Sequence, residues 1–426
     1  MSTRRTVVIV GAGAAGLWCA ERLARACGSE TEVLVLEKTP RTGTKILASG
    51  GTRCNVTTTL GPDEAARLFG KKGERFLRHG FRTLTPLDVR ERFEGWGVGL
   101  EEAPLEKVFP RSGNARDVRD ALEAAARGAG ATIELGAPVE GVARDGARWR
   151  VDLEDGMTLG CDALVLAAGG MSYPGTGTTG DGYAWLRNLG LELVDPVPAL
   201  VPLTSPDGWV RELTGIAWQG GELVLEDRAT GKATRLGQRR RPVLFTHHGL
   251  SGPGAMDLSH HVARAVGESP IDMAVRLDAF PDLDRDAVRA SLIEAAGLPG
   301  NPRLQRALAA TPMGPMPRRL FAAFASASGL DPDVGVAGIA KSVRHGLVES
   351  FKGLQIPVDG TLGFEHAEVT AGGLALRQVS PRSMAVNGHE GLFVIGELLD
   401  VDGPIGGLSF QAAFATAELC AQALAS

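Results

Sequence analysis

The sequence predicts an α/β fold that contains a parallel sheet, and two stretches near opposite ends of the 426-residue chain carry this prediction. Residues 6–10 form an apolar, β-branched run with the length of a buried parallel strand, and glycines follow at once. Residues 392–395 form a second such run, followed by glycines and a long stretch of small and apolar residues. The order strand, glycine-rich turn and helix is typical of Rossmann-like nucleotide-binding folds.

Gly11, Gly13 and Gly16 have the G-x-G-x-x-G spacing of a dinucleotide-binding turn. Gly11 permits the tight turn, Gly13 lets a pyrophosphate approach the backbone, and Gly16 lets the helix predicted over residues 17–27 pack against the strand. Glu37 ends the next apolar run, about 20 residues beyond the last glycine, where a carboxylate accepts hydrogen bonds from an adenosine ribose. These residues predict a dinucleotide site, and the alternative is a purely structural glycine-rich turn.

The C-terminal stretch indicates FAD rather than NAD alone. Glu397 follows the predicted strand, and a helix is predicted over residues 409–424, after Gly406 and Gly407. FAD is long, so its ribitol and ring need a second binding segment of the protein. An NAD-only dehydrogenase does not need this segment. Glu397 is a candidate for binding a ribitol hydroxyl, and the positive end of the helix would lie by the flavin N1–C2 carbonyl. For Glu397 the alternative is an ordinary surface acid.

A long loop near the cofactor is predicted over residues 38–55, which are rich in Gly, Thr, Ser and Lys and lack apolar periodicity. Gly50 and Gly51 would let a flat ring approach the backbone. Lys45 and Arg53 would face phosphate or the polar edge of the flavin, and solvated charges are the alternative.

The segment between the two stretches predicts helices and short strands. A helix is predicted to begin after the N-cap Asn114, and residues 163–168 predict a buried strand closed by glycines. The glycines between residues 175 and 180 have no strand immediately before them, so TGDG at 179–182 is predicted to begin a helix beside the same FAD. The strands of a small meander are predicted at residues 132–135, 139–143, 149–153 and 157–161.

The pattern changes from about residue 191. Residues 191–275 contain short alternating runs with Gly and Pro turns, which predicts a β-barrel or sandwich. Residues 282–350 are helix-like with proline-rich breaks, and residues 354–364 are again extended. The sequence therefore predicts a second module in the middle of the chain.

Composition sets expectations about partners and location. The net charge of −5 argues against nucleic acid or an anionic membrane as the main partner. No apolar run reaches the roughly 20 residues that span a bilayer, and residues 1–5 lead directly into the first strand, without room for a signal peptide. The five cysteines are scattered and none forms a C-x-x-C pair, so a reduced, cytoplasmic setting is expected.

Four longer stretches resemble a known family: GTKILASGGTRCN at 43–55, FTHHGLSGPGAMDLS at 245–259, AEVTAGGL at 367–374 and FVIGELLDVDGPIGGLSFQAA at 393–413. Together they are similar to the YhiN/aminoacetone-oxidase-like family of FAD-binding flavoproteins, whose FAD domain is similar to those of succinate dehydrogenase and fumarate reductase flavoproteins. The chain departs from the family at 406–411, which reads GGLSFQ where GGYNLQ is frequent. The family name therefore does not settle the substrate.

The resemblance implies a Rossmann-like FAD-binding domain interrupted by a β-barrel-like domain that carries a helical insert. The implied domains are residues 1–190 with 356–426 for FAD, 191–275 with 343–355 for the β-barrel-like substrate domain, and 276–342 for the helical insert. The implied cofactor contacts are Gly11, Gly13, Ala14, Ala15, Gly16, Glu37, Lys38, Lys45, Ser49, Gly50, Arg53, Cys54, Asn55, Val139, Ala168, Gly169, Asp181, Gly396, Glu397, Gly407, Leu408, Ser409, Phe410 and Gln411.

The catalytic residues are left open. His247 and His248 are the best candidates for proton handling, with a structural or exposed role as the alternative. Cys54 would lie beside the ring, but a packing role is favoured because no resolving cysteine is near in sequence. No clustered His, Cys and carboxylate pattern predicts a metal site.

Three functions are compatible with these residues. The first is an FAD-dependent oxidoreductase that oxidises a small amine, alcohol or steroid-like substrate. The others are a flavoprotein that senses or binds with slow turnover, and a flavin-dependent RNA-modifying enzyme, which the charge disfavours. No second strand–glycine–helix unit is found for a nicotinamide nucleotide. We therefore expect the substrate to reduce the flavin and oxygen to reoxidise it, with NAD(P)H as the alternative redox partner.

Overall fold

The computed structural model describes residues 4–266, 272–336 and 339–426. The signal-peptide expectation from residues 1–5, and parts of the predicted middle domains, lie outside these residues. The chain divides into two compact units, Met1–Ala199 with Phe364–Ser426 and Leu200–Gly363. The finer division into three domains stays a prediction. None of the described helices is long and apolar enough to cross a membrane.

The first unit begins with alternating strands and helices. In chain order these are β1 (Arg5–Val10), α1 (Ala14–Cys27), β2 (Thr31–Glu37), α2 (Thr44–Ala48), β3 (Thr57–Thr58), α3 (Pro62–Arg67), α4 (Gly70–Thr83), α5 (Pro86–Gly95), β4 (Leu100–Ala103), β5 (Lys107–Pro110), α6 (Ala115–Gly128), β6 (Thr132–Leu135), β7 (Val139–Asp145), β8 (Arg148–Leu153), β9 (Thr158–Cys161), β10 (Ala163–Leu166), α7 (Asp181–Asn188) and β11 (Leu193–Ala199).

The second unit follows, and the chain then returns to the first. The second unit contains β12 (Leu203–Thr204), α8 (Gly208–Glu212), β13 (Ala217–Trp218), β14 (Glu222–Asp227), β15 (Thr234–Arg239), β16 (Val243–Phe245), β17 (Gly249–Ser251), α9 (Pro253–Met256), α10 (Ser259–Ala265), β18 (Met273–Asp278), α11 (Arg285–Ala296), α12 (Leu304–Leu308), α13 (Arg318–Ala327), α14 (Lys341–Gly353), β19 (Leu354–Val358) and β20 (Gly360–Thr361). The returning segment contains β21 (Val369–Leu374), β22 (Leu392–Val394) and α15 (Leu408–Ala425).

A five-stranded parallel sheet organises the first unit. Its order is β22-β10-β1-β2-β6, and all four neighbouring pairs are parallel. The central strand is apolar on both faces, and Val7, Val8 and Ile9 are buried, because α1 packs on β1 and β2 while β8 and β9 pack on β10 and β1. The predicted α/β fold with a Rossmann-like sheet is confirmed. Three of the four predicted meander strands form the antiparallel sheet β7-β8-β9, whereas the predicted strand at 132–135 is β6, which pairs with β2 at the edge of the parallel sheet.

The loop predicted over residues 38–55 contains a short helix, α2, that the sequence analysis did not predict. The helix begins after Gly43, whose amide donates to the carbonyl of Ala12 at 2.9 Å. Ile46 is buried beneath it. One buried apolar side chain in five residues gives no periodicity, so helical spacing could not reveal this turn.

Two antiparallel sheets and a helical layer form the second unit. The sheets have the orders β13-β16-β17-β12-β20 and β15-β14-β18-β19. Helices α11, α13 and α14 pack together around the buried rings of Phe321, Phe324 and Phe351. The second unit therefore has an apolar core of its own.

Helices α1 and α15, from opposite ends of the chain, pack against each other in the first unit. Glu418 of α15 is buried and accepts hydrogen bonds from the indole of Trp18 at 3.0 Å and from Nε of Arg22 at 2.9 Å. A buried carboxylate with two donors from one partner helix fixes the register of the pair.

We expect Glu418→Ala to lower the free energy of unfolding by about 2–4 kcal/mol, because a buried donor and a partly buried guanidinium lose their acceptor. Urea denaturation followed by far-UV circular dichroism measures this change. The matched control is Glu30→Ala, which removes an exposed glutamate and should shift the midpoint little. Equal effects of the two substitutions would contradict the assigned role of Glu418.

Candidate cofactor-binding site

A cavity of about 960 Å³, including its open mouth, lies at the carboxyl ends of the parallel strands of the first unit. Val10, Glu37, Ala167 and Gly396, each at or just after the end of a different strand, line it. Ligands of open α/β sheets bind at this edge.

The structure brings more than half of the predicted cofactor residues together in this cavity. The predicted residues that line it are Gly11, Gly13, Ala14, Ala15, Glu37, Lys38, Lys45, Val139, Ala168, Gly169, Asp181, Gly396 and Glu397. Lining residues that the sequence analysis missed include Gly43, Thr44, Ile46, Ala137, Thr176, Gly177, Thr178, Trp185 and Ala413. Six of these nine residues lie within three positions of a predicted one, so extending the predicted segments would have found them.

The three glycines at the turn between β1 and α1 have different surroundings. Gly11 has φ of 108°, and a Cβ there would lie 2.5 Å from the carbonyl oxygen of Ala167. A Cβ on Gly16 would lie 1.9 Å from the carbonyl oxygen of Gly11, so α1 can approach the turn only without a side chain. A Cβ on Gly13 would meet nothing within 4 Å. Gly13 therefore opens onto the cavity, whereas Gly11 and Gly16 serve packing.

Glu37 fixes the turn to the end of β2. One carboxylate oxygen accepts from the amide of Ala12 at 2.9 Å, and the other accepts from the amide and hydroxyl of Thr39 at 2.9 and 2.8 Å. An ionised carboxylate offers about four acceptor positions, so capacity remains for ribose hydroxyls. The position of Glu37 in the cavity is compatible with the predicted adenosine contact.

Lys38, next to Glu37 in the cavity lining, is hydrogen-bonded to the residues at the start of α7. The ammonium group of Lys38 donates to the hydroxyl of Thr179 and to the carboxylate of Asp181, each at 2.5 Å. Asp181 is the first residue of α7, and Gly180 precedes it in the left-handed region with φ of 84°. TGDG therefore begins a helix on the cavity wall, as the sequence analysis predicted.

A polar cluster involving Lys45 and Glu397 forms another part of the wall. The ammonium group of Lys45 donates to Glu397 Oε2 at 2.6 Å and to Ser172 Oγ at 2.5 Å. Glu397 Oε1 accepts from Ser172 Oγ at 2.9 Å and from the amide of Thr370 at 2.8 Å. Ser172 and Thr370 are buried, and both were missed because the fold brings them together from distant segments.

Residues 49–55 do not line the cavity and instead pack on β5. Asn55 Oδ1 accepts from the amide of Val108 at 2.9 Å, and the guanidinium of Arg53 lies 4.3 Å from the ring centroid of Phe109. Cys54 is buried, and desolvation raises the pKa of its thiol to about 12, which opposes a reactive role. The cofactor contacts predicted for Ser49, Gly50, Arg53, Cys54 and Asn55 stay predictions.

The start of α15 also lies outside the cavity lining. A Cβ on Gly407 would lie 2.1 Å from the carbonyl oxygen of Thr57, so the glycine permits close packing on β3. Gln411 is buried, accepts from Thr57 Oγ1 at 2.6 Å and donates to the carbonyl of Leu84 at 2.7 Å. The cavity contact from this helix is Ala413. Cofactor contacts by Gly407, Leu408, Ser409, Phe410 and Gln411 stay predictions.

His247 and His248 belong to the second unit. Both are exposed between β16 and β17, with ring centroids 4.0 Å apart. Their proposed proton transfer stays a prediction. Within the described parts of the chain, no group of His, Cys, Asp and Glu side chains is arranged to hold a metal ion.

The residues of the cavity fit FAD. Space in front of Gly13 admits a pyrophosphate at the N-terminus of α1, where free amides and the helix dipole favour an anion. Glu37 offers acceptors for a ribose, and the Lys45–Glu397 pair offers a donor and acceptors for the more polar parts of ribitol and ring. Small residues occupy much of the remaining lining.

Comparisons with known proteins agree with this fit. Residues 5–423 match the model of the HI0933-like protein Rossmann domain. The chain is 32% identical over 421 residues to a ribosomal RNA dihydrouridine synthase of Escherichia coli, covering 99% of this chain and 98% of the relative. It is 29% identical over 421 residues to a 3-dehydro-bile acid delta(4,6)-reductase of Clostridium scindens, covering 98% of each.

A solved structure shows the same fold. The 3-ketosteroid-delta4-(5alpha)-dehydrogenase of Rhodococcus jostii RHA1 superposes with a TM-score of 0.52 at 16% identity, covering 99% of this chain and 97% of that one.

The expectation that nucleic acid is not a partner is wrong. The relative of Escherichia coli is named for an action on ribosomal RNA. Net charge is a poor guide to partners here because it sums over two units of different charge. Residues 200–363 carry 18 Lys and Arg against 17 Asp and Glu, so the negative surplus belongs to the other unit.

We expect Gly13→Ala and Gly16→Ala to separate cofactor binding from folding. Gly13→Ala should fold with a wild-type unfolding midpoint and lose FAD affinity at least tenfold, because its methyl group enters the space of the pyrophosphate. Gly16→Ala should lower the free energy of unfolding by about 1–3 kcal/mol or more through overpacking. Flavin fluorescence during dilution and urea denaturation measure the two effects. Wild-type FAD affinity in Gly13→Ala would contradict the site.

Proposed function

The chain belongs to the HI0933-like family of FAD-binding Rossmann proteins and is an FAD-dependent oxidoreductase, and on that premise we propose that it reduces uridine to dihydrouridine in ribosomal RNA. The observation that carries the proposal is the similarity to a ribosomal RNA dihydrouridine synthase over nearly the full length of both chains. The small-substrate oxidation expected from the sequence is replaced by a reduction.

The proposed reaction adds two hydrogens across the C5–C6 double bond of uracil, next to the C4 carbonyl. When bound in its reduced form, FAD supplies the hydride equivalent. The second hydrogen is a proton for C5, and the electrons are proposed to come from a reduced nicotinamide nucleotide. Electron flow would therefore run opposite to the direction expected from the sequence.

The chain's own residues support two tasks in this reaction. Lys45 carries protons on Nζ at the cavity wall, where Glu397 and Ser172 hold the ammonium group in one place. A positioned ammonium group beside a reacting ring acts as a general acid or orients a water molecule that does. Glu37 and the glycine turn bind and orient the cofactor at the other end of the cavity. A cytoplasmic location, where ribosomal RNA is processed, is part of the proposal.

A second candidate function follows from the relative in Clostridium scindens. Its name describes reduction of carbon–carbon double bonds in a 3-keto compound. Uracil and such a dienone share a double bond conjugated to a carbonyl group, so one catalytic arrangement serves both. A small conjugated ketone is therefore the alternative substrate.

The direct test of the proposal uses ribosomal RNA transcribed in vitro, which contains only unmodified uridine. Holoprotein reduced with dithionite under anaerobic conditions should convert uridine to dihydrouridine, detected by mass spectrometry of nuclease-digested RNA. Oxidised holoprotein serves as the control and should yield none. Reduction of a conjugated ketone with no dihydrouridine would favour the second candidate over the first.

We expect Lys45→Met to slow dihydrouridine formation by roughly 100-fold or more at full FAD occupancy, because a general acid contributes about that much. The matched control is Lys38→Met, which removes another cavity lysine paired with a carboxylate and should mainly weaken FAD binding. Single-turnover rates with reduced holoprotein measure both. A wild-type rate for Lys45→Met would exclude Lys45 as the proton source.

A further inference from the structure

Helix α4 of the first unit carries a row of cations along its exposed side. Its members are Lys71, Arg75, Arg78 and Arg82, and we call them the α4 row. Successive members are four, three and four residues apart, which places them one above another on the same side of a helix. All four are exposed. From residue 71 to residue 82 the row is about 16 Å long, because each residue of a helix adds 1.5 Å.

The opposite side of α4 holds the helix against α15. Phe76 and Phe81 are buried. A Cβ on Gly80 would lie 3.2 Å from Leu419 Cδ1 and 3.5 Å from Ala415 Cβ, so this side of α4 packs closely on α15. At 3.6 residues per turn, Gly80 is on the side of the helix opposite the α4 row. The row therefore faces away from α15.

Ion pairs neutralise only part of the charge of the row. Arg78 pairs with Glu74 at 2.5 Å, and Arg82 forms two hydrogen bonds of 2.8 Å with Asp63. Among the described residues, neither of the other two cations of the row has an ion-pair partner. Exposed pairs of this kind are weak and are readily exchanged for other partners. The row therefore retains a positive charge.

The surroundings of the α4 row are also basic. Arg67, at the end of α3, and Lys72 are exposed, and no carboxylate of the described residues pairs with either. Residues 63–82 contain six Lys and Arg against three Asp and Glu, in a chain whose net charge is −5. This surface is thus a local positive region on a negatively charged protein.

We propose that the α4 row binds the phosphate backbone of the RNA substrate. This inference rests on the proposed function and adds a surface that the substrate contacts. Lys and Arg side chains bind phosphate oxygens without reading sequence, and the release of counterions from the nucleic acid favours the complex. A row about 16 Å long faces several phosphates of one strand rather than one small anion.

A nucleic acid fits the α4 row better than a membrane surface does. An amphipathic helix binds a bilayer by burying its apolar side in the lipid. Every Phe and Leu side chain of α4, a helix that the structure describes completely, is buried in the protein. The row therefore offers charge alone, and its guanidinium groups match the geometry of phosphate oxygens.

The test uses two variants of the full-length holoprotein. Lys71→Gln with Arg75→Gln removes two cations that take no part in the ion pairs of the row, and Gln is a good helix former, so the fold should remain intact. The matched control, Arg187→Gln with Arg382→Gln, removes two exposed cations from α7 and from the segment between β21 and β22 in the same unit. Equal FAD content and equal melting curves establish that all three proteins are folded.

Fluorescence anisotropy with a labelled, in vitro transcribed ribosomal RNA fragment gives the affinities. The Lys71/Arg75 variant should bind roughly tenfold more weakly or worse near 0.1 M salt, and the slope of log K against log salt should become less steep by about 2. The control variant should bind like wild type. Should the double variant be unstable, Lys71→Gln alone is expected to reduce the slope by about 1.

A second measurement examines the membrane alternative. The same three proteins are mixed with vesicles of phosphatidylserine and phosphatidylcholine, and bound protein is separated by flotation. Loss of vesicle binding in the Lys71/Arg75 variant, with unchanged RNA affinity, would assign the α4 row to an anionic membrane and overturn the inference.

The outcomes separate this inference from the proposed function. Unchanged RNA affinity and slope in the Lys71/Arg75 variant, or equal weakening in the control, would overturn the surface, and dihydrouridine formation by wild type would still keep the function. RNA binding that depends on the row, without dihydrouridine formation by the reduced holoprotein, would keep the surface but overturn the function. A wild-type holoprotein that binds no RNA would overturn the surface.

Discussion

The close contact between α1 and the turn that precedes it is the constraint on which the rest of the first unit depends. Only because Gly16 lacks a side chain can the helix begin directly at the end of β1, against the carbonyl of Gly11. That position turns the first amides of α1 towards the cavity, where an anion is stabilised. Glu37 then ties the turn to β2 through the amide of Ala12.

The other end of the cavity depends on segments that are far apart in sequence. Parallel pairing of β22 with β10 brings Glu397 to the sheet edge, and Lys45 reaches it from α2. Ser172 and Thr370 complete the hydrogen bonds of the carboxylate. A cofactor as long as FAD would therefore find polar side chains at both ends of the cavity, and the C-terminal return of the chain supplies one set of them.

The sequence predicted those parts of the site that depend on local spacing. Gly11, Gly13 and Glu37 have the spacing of one strand–turn–helix–strand unit. Their placement in one cavity was therefore predictable. Ser172 and Thr370 were not, because their contacts arise from tertiary packing. Asn55 and Gln411 belong to conspicuous motifs and make structural hydrogen bonds outside the cavity lining, so their cofactor contacts stay predictions. Net charge failed as a guide to partners because charge acts locally.

The central claim is that the cavity at the carboxyl edge of the sheet binds FAD in one orientation. A crystal structure of the purified, yellow holoprotein tests it most directly. The account predicts electron density for the adenosine ribose beside Glu37, for the pyrophosphate beside Gly13, and for ribitol and ring towards Lys45 and Glu397. Density for the cofactor in the reverse orientation, or anywhere outside this cavity, would contradict it.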